Sequence, residues 1–262
     1  MRFANFPFAP ARSPFFYGWV IVAASTLGTI LSIPGQTMGV GAFTDSLIAD
    51  LRISREDLSS AYMYGTVTSA CVLPLAGRAF DVLGARILVV SSSLSLAATL
   101  VFLSVNETVT TWVAKHALPE QDRSTLSFGV LCCGFFFVRF WGQGVLTMSS
   151  RAMLGKWFDR RRGFASGLSG IFVSASFASA PVLLIWRIDS LGWRGAWVEL
   201  AGICTVWAVI AWILCRDNPE ECGLLMDGEE PTNRDDTDGP PEISRDFTLV
   251  DALRTPAFWI PA

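Results

Sequence analysis

The sequence predicts an all-α, polytopic membrane protein with six transmembrane helices. Of its 262 residues, 52% are hydrophobic and only 16% are charged, whereas an average soluble domain carries about 25% charged residues. The mean hydropathy is also high, at +0.45. The charges cluster between apolar runs of about 20 residues, the length that crosses a bilayer as a helix, whereas the strands of a membrane barrel alternate over about 10.

Six apolar runs follow one another along the chain. The first is free of charge between Arg12 and Asp45. The predicted spans are 17–41, 58–76, 87–105, 126–150, 163–186 and 195–215. Together they define a transmembrane domain at 17–215, which an N-terminal segment at 1–16 precedes.

The distribution of lysine and arginine predicts the orientation of these spans. Thirteen basic residues lie on the side of the N-terminus, six lie in the opposite loops, and Arg139 is the one basic residue inside a span. Because cytoplasmic loops retain the excess of positive charge, we expect a multi-pass protein of the inner or plasma membrane whose N-terminus and 216–251 segment are cytoplasmic.

The composition changes after the sixth span. Residues 1–215 carry a net charge of +5, whereas residues 216–262 carry −8. Residues 216–251 are acidic and contain a Gly-Pro-Pro break, which predicts a mobile linker. Residues 252–262 turn apolar again but are too few to cross, so we expect the start of a truncated seventh span. A membrane scaffold or sensor that engages a partner through the acidic linker is the alternative function.

Several classes of function are disfavoured. The sequence pI of about 5.2 argues against a nucleic-acid binder. The spans contain no cluster of His, Asp and Glu, and no phosphate-binding lysine motif occurs, so neither an enzyme nor an ATP-driven pump is expected. The six cysteines lack metal-ligand spacing and suit packing, and His116 suits an outer loop. We therefore expect no cofactor and no metal.

Two separate features predict an internal repeat. Asp-Val-Leu-Gly-Ala-Arg at 81–86 resembles Asp-Ser-Leu-Gly-Trp-Arg at 189–194, 108 residues later. Gly-Gln at 35–36 recurs at 142–143, an offset of 107 residues. Because three helices followed by three similar helices must insert with opposite orientation, the pattern predicts 3+3 inverted repeats with a solute path near the midplane.

The loop between spans two and three carries a dense motif, Gly-Arg-Ala-Phe-Asp-Val-Leu-Gly-Ala-Arg at 77–86. Gly77 permits close approach of a helix, Asp81 suits a cap at the start of span three, Gly84 permits a turn and Arg86 supplies a countercharge. The motif resembles the corresponding loop signature of the major facilitator superfamily. The resemblance implies a gating role for this loop, and capping with topology alone is the alternative.

Further segments extend this resemblance over most of residues 15–262. Arg-Phe-Trp-Gly-Gln-Gly at 139–144 and the 157–167 segment resemble the fourth-span motif and the next loop of the superfamily. Residues 218–224 and 257–259 are similar to its oxalate/formate antiporter and monocarboxylate transporter branches. The resemblance implies a twelve-span secondary transporter of a monocarboxylate or dicarboxylate by alternating access, with a coupled proton or counter-anion. Six spans then correspond to half of it, to be completed by a carboxyl-terminal half or a second copy.

Four residues are candidates for the substrate path: Arg139, Gln36 and Gln143 at midspan, and Tyr62 early in span two toward the outer side. Arg139 suits an anion or proton-coupled role, or a clamp on carbonyls of span one. Gln36 and Gln143 suit a carboxylate or hydroxyl-bearing solute, or hydrogen bonds between helices. Tyr62 suits the cavity or the membrane interface. Glu199 is a weaker candidate for a proton relay.

Span five carries small residues at helical spacing. They are Gly163, Gly167, Gly170, Ser174 and Ala178. Such a stripe favours close helix packing over ligand contact. The span contains Ala180-Pro181 without flanking glycines, so the glycine-rich motif of superfamily antiporters is absent.

Overall fold

A computed structural model of the chain describes residues 5–51, 53–116, 123–228 and 254–255. Residues 1–229 and 230–262 form separate units. Most of the predicted linker and seventh-span start therefore lies outside the described residues. Side chains at 113–124, His116 included, also lie outside them.

The described residues form eight α-helices and no strand. The helices are α1 (Gly18–Ile30), α2 (Thr37–Leu51), α3 (Arg55–Leu83), α4 (Ala85–Ser104), α5 (Asn106–His116), α6 (Arg123–Val138), α7 (Thr147–Trp157) and α8 (Arg162–Leu214). A π-helical segment, Arg139–Leu146, joins α6 to α7, and a 3-10 turn, Ile33–Gly35, separates α1 from α2. The predicted all-α class is confirmed.

Five helical stretches are long and apolar enough to cross a membrane, and the last is a hairpin. They are Gly18–Leu51, Arg55–Leu83, Ala85–Ser104, Thr125–Trp157 and Arg162–Leu214. In α8, Gly192 is non-helical, with φ 71° and ψ 160°. Arg187 Nε lies 2.7 Å from Glu199 Oε2, although twelve residues extend over about 18 Å of straight helix. The chain therefore reverses at Gly192, and α8 provides spans five and six.

Glycine also separates spans two and three. Gly84 has φ 83° and ψ 168°, a backbone conformation that residues with a side chain rarely adopt. Ser54 caps the other end of span two, where its hydroxyl accepts the Asp57 N–H at 3.0 Å. Spans two and three are therefore delimited by a Ser cap and by a glycine that breaks the helix.

Spans one and three are the most buried parts of the bundle. In each of them more than half of the most apolar stretch is buried, compared with 17% in α3 and in α8. Leu96, Leu100 and Leu103 are each at most 1% exposed and form part of the core. Spans two, five and six therefore keep broad apolar faces that are available to lipid or to other helices.

The contacts of Arg86 and Arg194 lie at the two opposite ends of the bundle. At one end, Arg86 donates to the Phe6 carbonyl at 2.9 Å, which brings the N-terminal segment to the loop between spans two and three. At the other end, Arg194 pairs with Asp50 at 2.5 Å and with Glu107 at 3.1 Å. The predicted inner and outer loops thus lie at opposite ends, and which end faces the cytoplasm stays a prediction.

Three local features differ from the sequence-based expectation. Span one is interrupted at its middle, because Pro34 lies in the 3-10 turn. The outer segment expected as a loop begins with α5, which spans Asn106–His116. The first part of the predicted linker, 216–228, packs on the bundle, where Arg216 is 1% exposed and Cys222 is 4% exposed. Composition alone did not indicate these contacts.

Candidate functional site

Irregular segments of spans one and four cross at the middle of the bundle. Gly35 in the 3-10 turn of span one meets Gly142 in the π segment of span four. A Cβ on Gly35 would lie 2.7 Å from Gly142 Cα, and one on Gly142 would lie 2.8 Å from Gly35 Cα. Only glycine permits this approach of two backbones. Irregular backbone at membrane depth is tolerated where it is buried or lines a cavity, and π segments are frequent at functional sites.

Arg139 begins the π segment and is 8% exposed. Its Nη1 donates to the Gly35 carbonyl at 3.1 Å and to Thr37 Oγ1 at 3.5 Å. Its guanidinium lies 5.3 Å from the ring centroid of Tyr62. The predicted clamp on a span-one carbonyl is therefore present. Arg139 Nε is buried and has no hydrogen-bond partner among the described residues, so within this part of the chain the cation retains an unused donor.

Gln36 lies in a second polar cluster on the same crossing. Its Nε2 donates to Ser32 Oγ at 2.9 Å and to Thr147 Oγ1 at 3.2 Å. Thr147 also donates to Ser32 Oγ at 3.0 Å. These bonds connect the interrupted part of span one to the start of α7, as the interhelical alternative for Gln36 predicts.

Tyr62 and Gln143 are the other two candidates for the substrate path. The Tyr62 hydroxyl donates to Thr37 Oγ1 at 3.1 Å, and the Tyr62 ring lies beside the Arg139 guanidinium. Gln143 is exposed, although its backbone N would lie 2.8 Å from a Cβ on Gly35. Three of the four candidates thus gather around span one, and Gln143 presents its side chain to the open surface of the bundle.

Ser32, Thr37 and Thr147 belong to these clusters, although sequence reasoning did not select them. Single hydroxyl residues in apolar spans are common, and only the crossing at Gly35 brings these three together. Beside the candidate residues and the motif at 139–144, the Gly-Gln repeat at 35–36 and 142–143 was the sequence signal for this place. Its physical meaning is the contact between the two glycines.

A cavity of about 370 Å³ lies between the interrupted part of span one and the hairpin of α8. Its lining is mainly apolar and includes Ile33, Pro34 and Cys204. The ion pair of Arg187 and Glu199 also lines it. Glu199 was a weaker candidate for a proton relay. In this structure it forms an ion pair with Arg187 across the hairpin.

The start of span three is capped by Asp217, which corrects the expected role of Asp81. Asp217 Oδ1 accepts the Arg86 N–H at 2.8 Å, and Asp217 also accepts from the Ala85 N–H. Asp81 lies in the last turn of α3, is exposed, and makes no hydrogen bond or ion pair with the part of the chain that is described. Asp81 precedes the chain reversal at Gly84 and belongs to the end of span two, whereas Asp217 comes from the segment after span six.

Arg86 and Gly77, two further residues of the 77–86 motif, differ in the contacts that they make. Arg86 is 4% exposed, donates to the Trp212 carbonyl through Nε at 2.7 Å, and stacks on that residue's ring at 4.4 Å. It thus caps the carbonyl end of span six, where a cation is favoured. Gly77 has no described atom within 4 Å of its Cβ position. The helix approach predicted for Gly77 is therefore not made within this part of the chain.

The small-residue stripe of span five faces outward. Gly163, Gly167, Ser174 and Ala178 are exposed, and Gly170 is half-buried. A Cβ at any of the three glycines would meet no described atom within 4 Å. The inward face of the span is a different one, on which the Ser169 hydroxyl accepts from Thr26 at 2.8 Å.

Comparison with known proteins identifies the family. The profile of the Major Facilitator Superfamily matches residues 25–260. The chain belongs to this superfamily. Its family and its relatives, which are named as transporters, place it among transporters rather than enzymes.

Three relatives illustrate the range of similarity. The hexuronate transporter of Escherichia coli (strain K12) is 24% identical over 92% of this chain and 51% of its own length. The galacturonate transporter of Dickeya chrysanthemi is 21% identical over 81% of this chain and 58% of its own length. Monocarboxylate transporter 6 of Mus musculus is 29% identical over 41% of this chain and 21% of its own length. The chain thus spans about half the length of the first two. No solved structure matches it.

Proposed function

We propose that this superfamily member forms one half of a secondary transporter for small organic anions, which works by alternating access. The crossing of spans one and four at Gly35 and Gly142 carries this proposal. Discontinuous helices near the midplane form the solute site in transporters built from inverted repeats. Here the discontinuity adjoins Arg139, a buried cation whose Nε has no hydrogen-bond partner in the described part of the chain.

The proposed solute carries one or two carboxylates. A guanidinium offers donors in a planar fork that matches a carboxylate. The hydroxyls of Ser32, Thr37 and Thr147 and the amide of Gln143 add groups suited to carboxylate or hydroxyl oxygens. The names of the relatives agree with this chemistry, since a hexuronate and a galacturonate are sugars with a carboxylate and monocarboxylates are smaller acids.

The proposed gate lies at the end of the bundle that carries the 77–86 motif, which is called the motif end below. We take this end as cytoplasmic from the distribution of basic residues. Asp81 is exposed there without a described partner, and the small stripe of span five is uncovered. Both surfaces are free to meet a second six-span half, either a carboxyl-terminal half or a second copy. A proton or a counter-anion would be coupled to the solute.

Uptake into liposomes tests this proposal. The chain is reconstituted alone and together with a carboxyl-terminal six-span half, and uptake of labelled galacturonate, lactate, formate and oxalate is measured. We expect saturable uptake only with the second half, and its loss in Arg139→Gln. The matched control is Arg55→Gln, because Arg55 is exposed at the other end of the bundle. Full uptake by Arg139→Gln would refute the role of this cation.

A further inference from the structure

Residues 216–228 form a strap across the motif end of the bundle. The strap leaves span six at Arg216, whose carbonyl accepts the Trp157 indole N–H at 3.3 Å. Its internal turn is held by the Cys222 N–H, which donates to the Pro219 carbonyl at 2.9 Å. It ends beside Phe16, since a Cβ on Gly228 would lie 2.9 Å from that ring.

The strap places one carboxylate on each repeat. Asp217 accepts from the N–H groups of Ala85 and Arg86 at the start of span three, in the first repeat. Asp227 accepts three backbone N–H groups of the turn before span five, in the second repeat: Oδ2 from Asp159 at 3.0 Å and Arg160 at 2.8 Å, and Oδ1 from Arg161 at 3.2 Å. Two separate elements of the bundle are therefore joined through one short segment.

The two ends of the strap differ in how firmly they are held. Around Asp217, Arg216 is 1% exposed and donates to the Ile213 and Cys215 carbonyls at 2.7 and 2.8 Å. Asp217 and Asp227 are both half-buried, but the bond from Arg86 to Asp217 is partly buried, whereas the bonds to Asp227 lie at the surface. The φ of Asp227 is 58°, in the left-handed region that aspartate and asparagine adopt more readily than most other non-glycine residues. The Asp217 end is thus anchored, and the Asp227 end is open to water.

We propose that the strap is a conformational latch with Asp217 as its fixed end and Asp227 as its releasable end. The elements that it holds are those that adjoin the proposed gate. Asp217 fixes the turn that follows Asp81, and Asp227 fixes the turn that precedes the small stripe at Gly163. Release of Asp227 frees the second turn while the first stays held. This consequence for gating rests on the proposed function, whereas the latch itself does not.

Hydrogen exchange resolved to single amides tests the latch in the full 262-residue chain in lipid nanodiscs. We expect the amides of 159–161 to exchange faster than those of 85–86 by about tenfold or more, because local opening of the exposed end is the easier event. Asp227→Ala should accelerate exchange at 159–161 by about tenfold and leave 85–86 unchanged. Asp227→Asn, which keeps one acceptor oxygen and tolerates a left-handed backbone, should fall between.

Glu220→Gln is the matched control, because Glu220 is an exposed carboxylate of the same strap with no bond from its side chain in the described structure. It should leave exchange at 159–161 unchanged. Unaltered exchange there in Asp227→Ala, or equal rates at the two ends in the wild type, would overturn the latch. Exchange is measured without solute, so absence of uptake bears on the proposed function alone.

Discussion

Gly84 and Gly192 hold the same backbone conformation, with φ 83° and ψ 168° at one and φ 71° and ψ 160° at the other. They are equivalent positions of the internal repeat. Arg86 and Arg194, two residues after each glycine, both stack on a tryptophan ring, at 4.4 and 4.2 Å. Their contacts lie at opposite ends of the bundle, as inverted repeats require.

Substitution of these glycines by alanine should destabilise the chain. This region of backbone space is essentially restricted to glycine, and occupying it costs about 1–3 kcal/mol. Gly84→Ala should cost more than Gly192→Ala, because a Cβ at Gly84 would lie 2.6 Å from Asp217 Oδ2 whereas Gly192 has open space. Thermal unfolding in detergent measures the difference.

Gly170→Ala is the control for this pair, since Gly170 is helical and a Cβ there meets no described atom within 4 Å. It should leave stability unchanged or raise it. Equal stabilities for all three variants would contradict the role of backbone conformation at 84 and 192.

The repeat shows how far sequence reasoning extends in this protein. Apolar runs predicted the helices, and the recurring Asp-x-Leu-Gly-x-Arg motif located both reversals of the chain. Sequence reasoning did not identify Asp217 as the cap of span three, because Asp217 is 131 residues away from Arg86 along the chain and reaches it only through tertiary packing. The π segment at Arg139–Leu146 also left no signal, since its residues suit an ordinary helix equally well.

The crossing of spans one and four should be sensitive to a single methyl group. Gly35→Ala places a Cβ 2.6 Å from the Val138 carbonyl oxygen and 2.7 Å from Gly142 Cα. Since neither backbone can move independently, we expect a loss of about 1–3 kcal/mol, as for overpacked cores. Gly41→Ala, where nothing lies within 4 Å, should be neutral in the same unfolding measurement. A neutral Gly35→Ala would show that the spans separate at little cost.

Asp217 should make stability depend on pH. Burial raises the pKa of its carboxyl above the ordinary value of 3.8, with a further raising contribution from Glu221, while backbone N–H donors and Lys156 lower it. The folded state therefore binds this proton more tightly than the unfolded state does. Its contribution to stability is favourable at low pH and is lost as the pH rises from 3.8 through the raised pKa.

Two substitutions of Asp217 distinguish the effect of its negative charge from the effect of its hydrogen bonds to the start of span three. Asp217→Asn keeps an acceptor oxygen and removes the titration, so its stability relative to wild type should improve as the pH rises through that window. Asp217→Ala removes the acceptor and should cost about 0.5–2 kcal/mol at every pH. Melting temperatures from pH 3.5 to 7 provide the comparison, and parallel curves for wild type and Asp217→Asn would exclude the titration.

Asp81→Asn should separate folding from transport. Since Asp81 is exposed and does not cap span three, the melting temperature of the chain should stay at the wild-type value. If Asp81 acts in the gate, uptake by the complete transporter should fall about tenfold or more, as loss of a charge-assisted contact predicts. Ordinary uptake would remove Asp81 from the proposed gate.

The outward face of span five should be needed for association but not for folding. Gly167→Leu adds a side chain where no described atom lies within 4 Å of the Cβ, so stability should stay within about 0.5 kcal/mol of wild type. Close helix contact depends on small residues, so cross-linking to a carboxyl-terminal half or to a second copy should be lost. Ser169→Leu is the control on the inward face, because Ser169 accepts the Thr26 hydroxyl at 2.8 Å. It should lower stability by about 1–3 kcal/mol through overpacking.

Unchanged cross-linking by Gly167→Leu would exclude the small stripe as the contact, because a leucine cannot fit where two helices meet at glycine.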